Sequence, residues 1–265
     1  MIGEEGRGVP TIAAQVNYTR LGTITGTTGV LRRAVGEAIH HARHRHAFGR
    51  ALADQPLMQN VLADLALESE AMTITAMRLA RAYEDPAQGA FRRLATAVEK
   101  YWITKRAAPA AVEALECLGG NGYVEDSGLA RLYRQAPLNS IWEGSGNIQC
   151  LDVLRALRKE PASAEAFFAE LASVRGGSRT LDHEVATLRN LLTEQGGDQE
   201  ARARRTVERM AMALQAACLV RGGNVAISDA FAESRLARAH GVAFGTLEPS
   251  APLQEALIER VLPVD

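Results

Sequence analysis

Two apolar stripes at helical spacing fill residues 56–118, and they leave little room for any architecture but packed helices. Met58, Val61, Leu62, Leu65, Met72, Ala76 and Leu79 mark the first, and Asp85-Pro86 interrupts it. Phe91, Leu94, Ala95, Val98, Trp102, Ala108 and Leu115 mark the second. Residues three and four apart fall on one side of a 3.6-residue helix, so each stripe predicts a long helix with one buried face. Asp54 followed by Pro56 reads as a cap and first turn. Pro109 predicts a kink in the second helix. Leu118-Gly119-Gly120-Asn121-Gly122 predicts its sharp end.

The remaining segments read the same way. Residues 11–46 are helical in pattern, opened by Pro10, although Gly22, Gly26 and Gly29 dilute them. Each glycine costs about 1 kcal/mol against alanine inside a helix, so close helix packing or close approach of a ligand must explain them. A loop from Pro137 to Gly146 precedes a helix over 147–158. Further helices are expected over 162–174, 180–194, 198–222, 224–240 and 250–262, and no stretch reads as a strand. The fold class is therefore all-α: a connector over 1–9, an antiparallel bundle over 10–160 and a smaller helical domain over 161–265.

Composition narrows the function. A net charge of −1 on 265 residues argues against a surface devoted to nucleic acid. Cys117, Cys150 and Cys218 lie far apart and form no CxxC pair, which suits buried thiols in a reducing compartment and predicts a cytoplasmic protein. The N-terminal residues lack the apolar segment of a signal peptide, and no run is long enough to predict a membrane span.

Three stretches could carry chemistry. HHARHRHAFGR, residues 40–50, holds four of the six histidines. His40 and His44 share a helix face, but too few carboxylates or histidines lie nearby for a metal site, so no metal is expected. The open readings are a cationic helix end and an anion grip, in which Phe48-Gly49 anchors Arg45 and Arg50 for a phosphate. LECLGGNGYVEDSG, residues 115–128, is either a helix C-cap or a backbone that a ligand approaches closely. LNSIWEGSGNIQ, residues 138–149, sets Glu143 between Trp142 and Gly144. A carboxylate beside an apolar wall has its charged form disfavoured, which suits a general base, although a surface or capping carboxylate has the same signature. Ser145 and Asn147 add a hydroxyl and an amide near a helix start.

Taken in order, NYTRLG, RHRHAFGR, LECLGGNGYVEDSGLARLYRQAP and SIWEGSGNIQ resemble the C-terminal α-domain of acyl-CoA dehydrogenases, over about residues 1–158. The wording SIWEGSGNIQCLDVLRAL and the helical tail look most like the AidB-like branch, which is tied to the bacterial response to DNA alkylation. The resemblance implies a four-helix bundle, FAD and a fatty acyl-CoA thioester. A glutamate takes the α-proton and flavin N5 takes hydride from the β carbon. Glu143 falls on that glutamate and Arg20 on an arginine near it. Ser145 and Asn147 fall on flavin contacts. Arg45 and Phe48 fall on residues that hold the FAD of a neighbouring subunit in a dimer or tetramer. Gly119 and Gly120 fall on backbone close to the same cofactor. Three positions depart from the pattern: Glu116 stands for a glutamine, Pro56 for another with Gln55 beside it, and Ser145-Gly146 for a threonine and a polar residue. The resemblance also makes MIGEEGRGV the end of a middle domain, so little or no dehydrogenase activity is expected of this chain alone.

Two rival functions stay open. One is an AidB-like protein that protects DNA, with Arg202, Arg204, Arg205 and Arg209 as its contacts. Against it, residues 161–265 carry eleven basic and fourteen acidic side chains, a poor balance for phosphate binding. The other is a helical assembly module without flavin.

Overall fold

The computed structural model describes residues 3–193, 199–237, 241–248 and 250–262. Its frame is three long helices: α1 Gly8–His44, α2 Pro56–Glu84 and α3 Gly89–Glu116. The apolar stripes that marked α2 and α3 are their buried faces. Tyr83 Oη ties two of these helices together, bonding Asn17 O of α1 at 2.9 Å and Thr96 Oγ1 of α3 at 3.0 Å. Short connections turn the chain back after each helix, so α1 and α3 run the same way and α2 runs against both.

Shorter helices close the bundle. α4 (Gly120–Tyr123), α5 (Leu129–Asn139) and α6 (Gly146–Lys159) return along α3. α7 (Pro161–Ala172), α8 (Arg179–Thr193), α9 (Gln199–Arg221), α10 (Val225–Phe231) and α11 (Ala251–Glu259) follow. α7 packs on α3, α9 on α2 and α3, and α11 on α2. One hydrophobic core therefore runs across residue 160, from Ile24, Leu65 and Val98 to Phe167, Met210 and Leu257.

Several local expectations need correcting. α1 ends at His44 and is followed by a two-rung antiparallel hairpin, His46–Ala47 against Arg50–Ala51. α2 is capped by Gln55, not Asp54, which ends a 3-10 turn instead. α5 extends through Pro137 to Asn139, so the following loop is shorter than expected. Proline near a helix end removes only one ladder bond, which the packed face of α5 outweighs. α10 passes into a π turn over Ala232–Leu236, and residues 238–240 of the helix expected there lie outside the described residues. Gly22, Gly26 and Gly29 do not pack closely: all three are exposed on α1, and a Cβ at any of them would meet nothing within 4 Å.

Charged groups are buried where the later helices dock. Arg235 of the π turn, only 5% exposed, pairs with Asp64 and Glu68 of α2, and Arg106 of α3 reaches Glu68 at 3.2 Å. Glu99 of α3 is fully buried and accepts a 3.0 Å bond from Gln215 Nε2 of α9. Burial pushes the Glu99 carboxyl well above the usual range, with the Gln215 bond working against it. All three cysteines are free and buried, and burial pushes their thiols up to about 11 for Cys150 and about 12 for Cys117 and Cys218. No helix of the described residues is long and apolar enough to cross a membrane.

Candidate active site

Between α5 and α6 the chain must reverse within a few residues. Glu143 and Gly144 do this on consecutive positive φ angles, 56° and 101°. Glycine adopts such angles freely, whereas a residue with a Cβ is strained by roughly 1–2 kcal/mol. Strain of this kind persists only where the surroundings over-determine it.

Here three side chains bind three consecutive carbonyls. Lys100 Nζ of α3 donates to Trp142 O at 2.7 Å and to Gly144 O at 2.6 Å. Arg20 Nε of α1 donates to Glu143 O at 3.1 Å. Gln149 Nε2 of α6 donates to Glu143 O at 2.9 Å and to Gly144 O at 3.1 Å. A Cβ on residue 144 would lie 2.5 Å from Gln149 Nε2, so any other residue would push that amide off its two carbonyls as well as strain φ.

The Glu143 carboxylate is held separately. Its Oε2 accepts a 2.8 Å bond from Thr19 Oγ1, one residue before Arg20 on α1. The Trp142 ring expected as an apolar wall is 46% exposed, so that side stays open to water. Burial lowers the Lys100 ammonium to about 8, with the Arg20 cation adding to the effect and Glu143 opposing it.

Arg20 is buried and locked from its far side. Its Nη1 meets Asp152 Oδ2 at 2.8 Å, and Arg93 reaches Asp152 Oδ1 at 2.7 Å. Burial works to raise Asp152, but Arg93 and Arg20 outweigh it and leave the carboxyl below its ordinary value. Asn17, Arg20, Arg93, Ile148, Asp152 and Arg155 border a cleft of about 600 Å³ beside the loop. Ser145 caps α6 by position, yet its hydroxyl makes no capping bond. Asn147 is exposed, and its Oδ1 accepts a 2.9 Å bond from Arg204 Nε of α9.

Arg45, Phe48, Gly119 and Gly120 are not part of this cluster. The 25 steps from Arg20 to Arg45, along α1 to its C-cap, span roughly 37 Å at 1.5 Å per residue. α3 runs alongside α1, so Gly119 and Gly120, just past its end, also lie well away from Lys100 and Glu143. Both glycines are exposed, and a Cβ on either would meet nothing within 4 Å; Gly119 has φ 60°. Exposed Glu116 lies one turn earlier.

Phe48 does not anchor the hairpin, as the sequence suggested. It forms the hairpin tip with Gly49, at φ 54° and 84°, and its ring is 96% exposed. Two positive φ angles suit a two-residue hairpin, but an aromatic residue is unusual in that position. Gln55 Nε2 braces the hairpin from below, donating to Ala47 O at 3.2 Å. Arg45 is exposed beside it. His40 and His44 do share a face, with ring centroids 4.3 Å apart. Among the described residues, no three His, Cys, Asp or Glu side chains gather as metal ligands.

Sequence reading missed Thr19, Lys100, Gln149 and Asp152. One signal was present: Glu99-Lys100 is the only charged pair in Leu94–Thr104, a run facing the core. The tail arginines are partly committed inside the chain, with Arg204 on Asn147 and Arg209 on Glu184 at 2.6 Å.

Residues 6–158 match the family model described as the acyl-CoA dehydrogenase C-terminal domain. The chain is 44% identical to Escherichia coli AidB over 195 residues, which is 72% of this chain and 36% of that protein. It is 31% identical over 191 residues to acyl-CoA dehydrogenase family member 11 of Caenorhabditis elegans, 69% of this chain and 31% of that one. The chain thus spans about a third of the length of these curated relatives. Among solved structures, Caenorhabditis elegans ACDH-11 in complex with C11-CoA superposes with a TM-score of 0.81 at 24% identity, covering 98% of this chain and 48% of that one. At that identity the likeness speaks for the fold.

Proposed function

Because the chain belongs to the acyl-CoA dehydrogenase family, we propose that Glu143 is the base that removes the α-proton of an acyl-CoA thioester. The observation that carries this reading is the placement of the Glu143 carboxylate. Its backbone is strained and pinned at three carbonyls, while one side-chain oxygen is held by Thr19. Preorganisation of this kind suits proton transfer, because the base does not have to be positioned anew in each cycle. With Oε2 bonded to Thr19, Oε1 is the oxygen left to receive the proton. The thioester would enter from the open side near Trp142 and the cleft beside Arg20.

The exposed residues accommodate FAD. Ser145 and Asn147 lie beside Glu143 and would contact the flavin end. When bound, FAD supplies the acceptor for the hydride that leaves the β carbon. Arg45, Phe48, Gly119 and Gly120 lie too far along α1 and α3 to serve the same flavin, so they would hold the cofactor of a second copy, Arg45 at its pyrophosphate. The substituent-free faces of Gly119 and Gly120 and the projecting Phe48 ring support that role. The exposed glycines of α1 allow a second copy to approach closely. The chain by itself is expected to turn over little or no acyl-CoA, because the Glu143 loop stands open to water and a base of this kind works best where water is excluded.

The test is the absorbance spectrum of the purified chain after gel filtration with added FAD. A flavin band should coelute with the protein and weaken in Arg45→Ala. Absence of the band, or full retention by the variant, would remove the cofactor assignment. Measurable reduction of an electron acceptor by an acyl-CoA would overturn the expected lack of turnover.

A further inference from the structure

Lys100 is an unusual buried lysine. Its side chain is fully buried in α3, no carboxylate of the described residues forms an ion pair with it, and its ammonium donates to two backbone carbonyls. Those carbonyls belong to Trp142 and Gly144, the residues on either side of Glu143. Burying an ammonium is expensive, and a lysine kept in such a place without a carboxylate partner calls for a reason beyond packing.

We propose that Lys100 is the positioning residue for Glu143: its ammonium clamps the two flanking carbonyls and so holds the carboxylate on left-handed backbone, within reach of Thr19. The geometry leaves few alternatives for the loop. If the peptide on either side of Glu143 rotated toward ordinary φ, the Trp142 and Gly144 carbonyls could not both face a single nitrogen at 2.7 and 2.6 Å. Arg20 and Gln149 bind the Glu143 carbonyl but not that of Trp142, so neither can replace the clamp. Lys100 touches neither substrate nor cofactor in this scheme and acts only through Glu143. The catalytic meaning of the clamp rests on Glu143 being the base, but the clamp itself can be tested without turnover.

The experiment uses the full chain and two readouts. The first is amide hydrogen exchange in Lys100→Met. The Ile141 and Trp142 amides, which bond to Leu138 O at 2.9 and 3.3 Å, should exchange about tenfold faster or more, while the α2 core amides keep their protection. The second is the coupling between Thr19 and Glu143, from a double-mutant cycle of Thr19→Val and Glu143→Met in urea unfolding. That coupling should fall to within error of zero in the Lys100→Met background, an effect that general loosening of the bundle would not produce. Unchanged loop exchange, or an undiminished coupling, in a folded variant overturns the proposal. If Lys100→Met does not fold, Lys100→Gln serves instead, because its shorter amide cannot bridge both carbonyls. Neither readout depends on flavin or acyl-CoA, so the clamp can stand or fall independently of the assignment of Glu143 as base.

Discussion

Thr19 Oγ1 lies 2.8 Å from Glu143 Oε2, and the same hydroxyl lies 3.0 Å from the Val16 carbonyl of its own helix. The pair of contacts lets one hydroxyl serve both protonation states of the carboxyl. When Glu143 is ionised, the hydroxyl donates to it. When Oε1 is protonated, Oε2 is still an acceptor, so the hydroxyl can keep donating to it or turn to Val16 O instead. The base proposed at Glu143 would thus have a partner in each state.

The Thr19–Glu143 bond should be measurable as a coupling of about 1 kcal/mol in the double-mutant cycle of Thr19→Val and Glu143→Met. The expected value is modest because Glu143 is only half buried. Urea unfolding of the four proteins gives the number directly. Additive effects of the two substitutions would mean that the bond does not persist in solution.

Phe48→Gly should separate stability from cofactor holding. The substitution relieves a positive φ on an aromatic residue and removes a ring that touches almost nothing, so stability should rise by up to about 1 kcal/mol. Flavin retention on gel filtration should fall in the same variant. A loss of thermal stability would show that the ring packs within its own chain.

Glu99→Gln should change the pH dependence of stability in a defined direction. Burial raises the folded-state pKa of Glu99 above the ordinary 4.5, so the folded chain binds a proton that the unfolded chain has released. The contribution of Glu99 is therefore fully present below about 4.5 and is lost as pH rises toward its folded value. The glutamine variant carries no such proton. Its stability relative to the parent should be level in acid and grow as pH rises above about 4.5 toward the folded-state value. A flat difference across that range, read by thermal unfolding in matched buffers, would rule out a neutral buried carboxyl.

Arg235→Met should cost roughly 3–5 kcal/mol, because it leaves Asp64 in the interior with the Gly245 amide and Glu68 with Arg106, and neither with its buried cation. The loss should be largest at neutral pH and shrink in acid, where Glu68, whose carboxyl Arg106 and Arg235 hold below its ordinary value against burial, takes up a proton. Denaturant titrations at two pH values test both statements.

Much of the frame was legible because long helices write their burial into the spacing of apolar residues. Pro56, Asp85-Pro86 and Gly119 fixed the ends of α2 and α3 closely. Polar partners left weaker traces. A threonine at position 19 looks the same in sequence whether its hydroxyl meets solvent or a carboxylate 124 positions away. Lys100 stands out only as half of a charged pair in a core-facing run, and its partners appear once the loop after α5 is folded against it. Phe48 misled for the opposite reason. An aromatic residue next to glycine suggests an anchor, and only the backbone angles place it at an exposed hairpin tip. Pro137 suggested a loop, but the packing of α5 carried the helix past it.

The two groups of candidate residues are joined by a single uninterrupted helix, and α1 therefore works as a ruler. Inserting one residue between Arg20 and Arg45 would lengthen it by about 1.5 Å and turn one group about 100° relative to the other. No loop lies between them to absorb the error. Phase along α1 is therefore as much a requirement of this chain as the identity of the residues at its two ends, and insertions or deletions there should be tolerated far less well than substitutions on its exposed face.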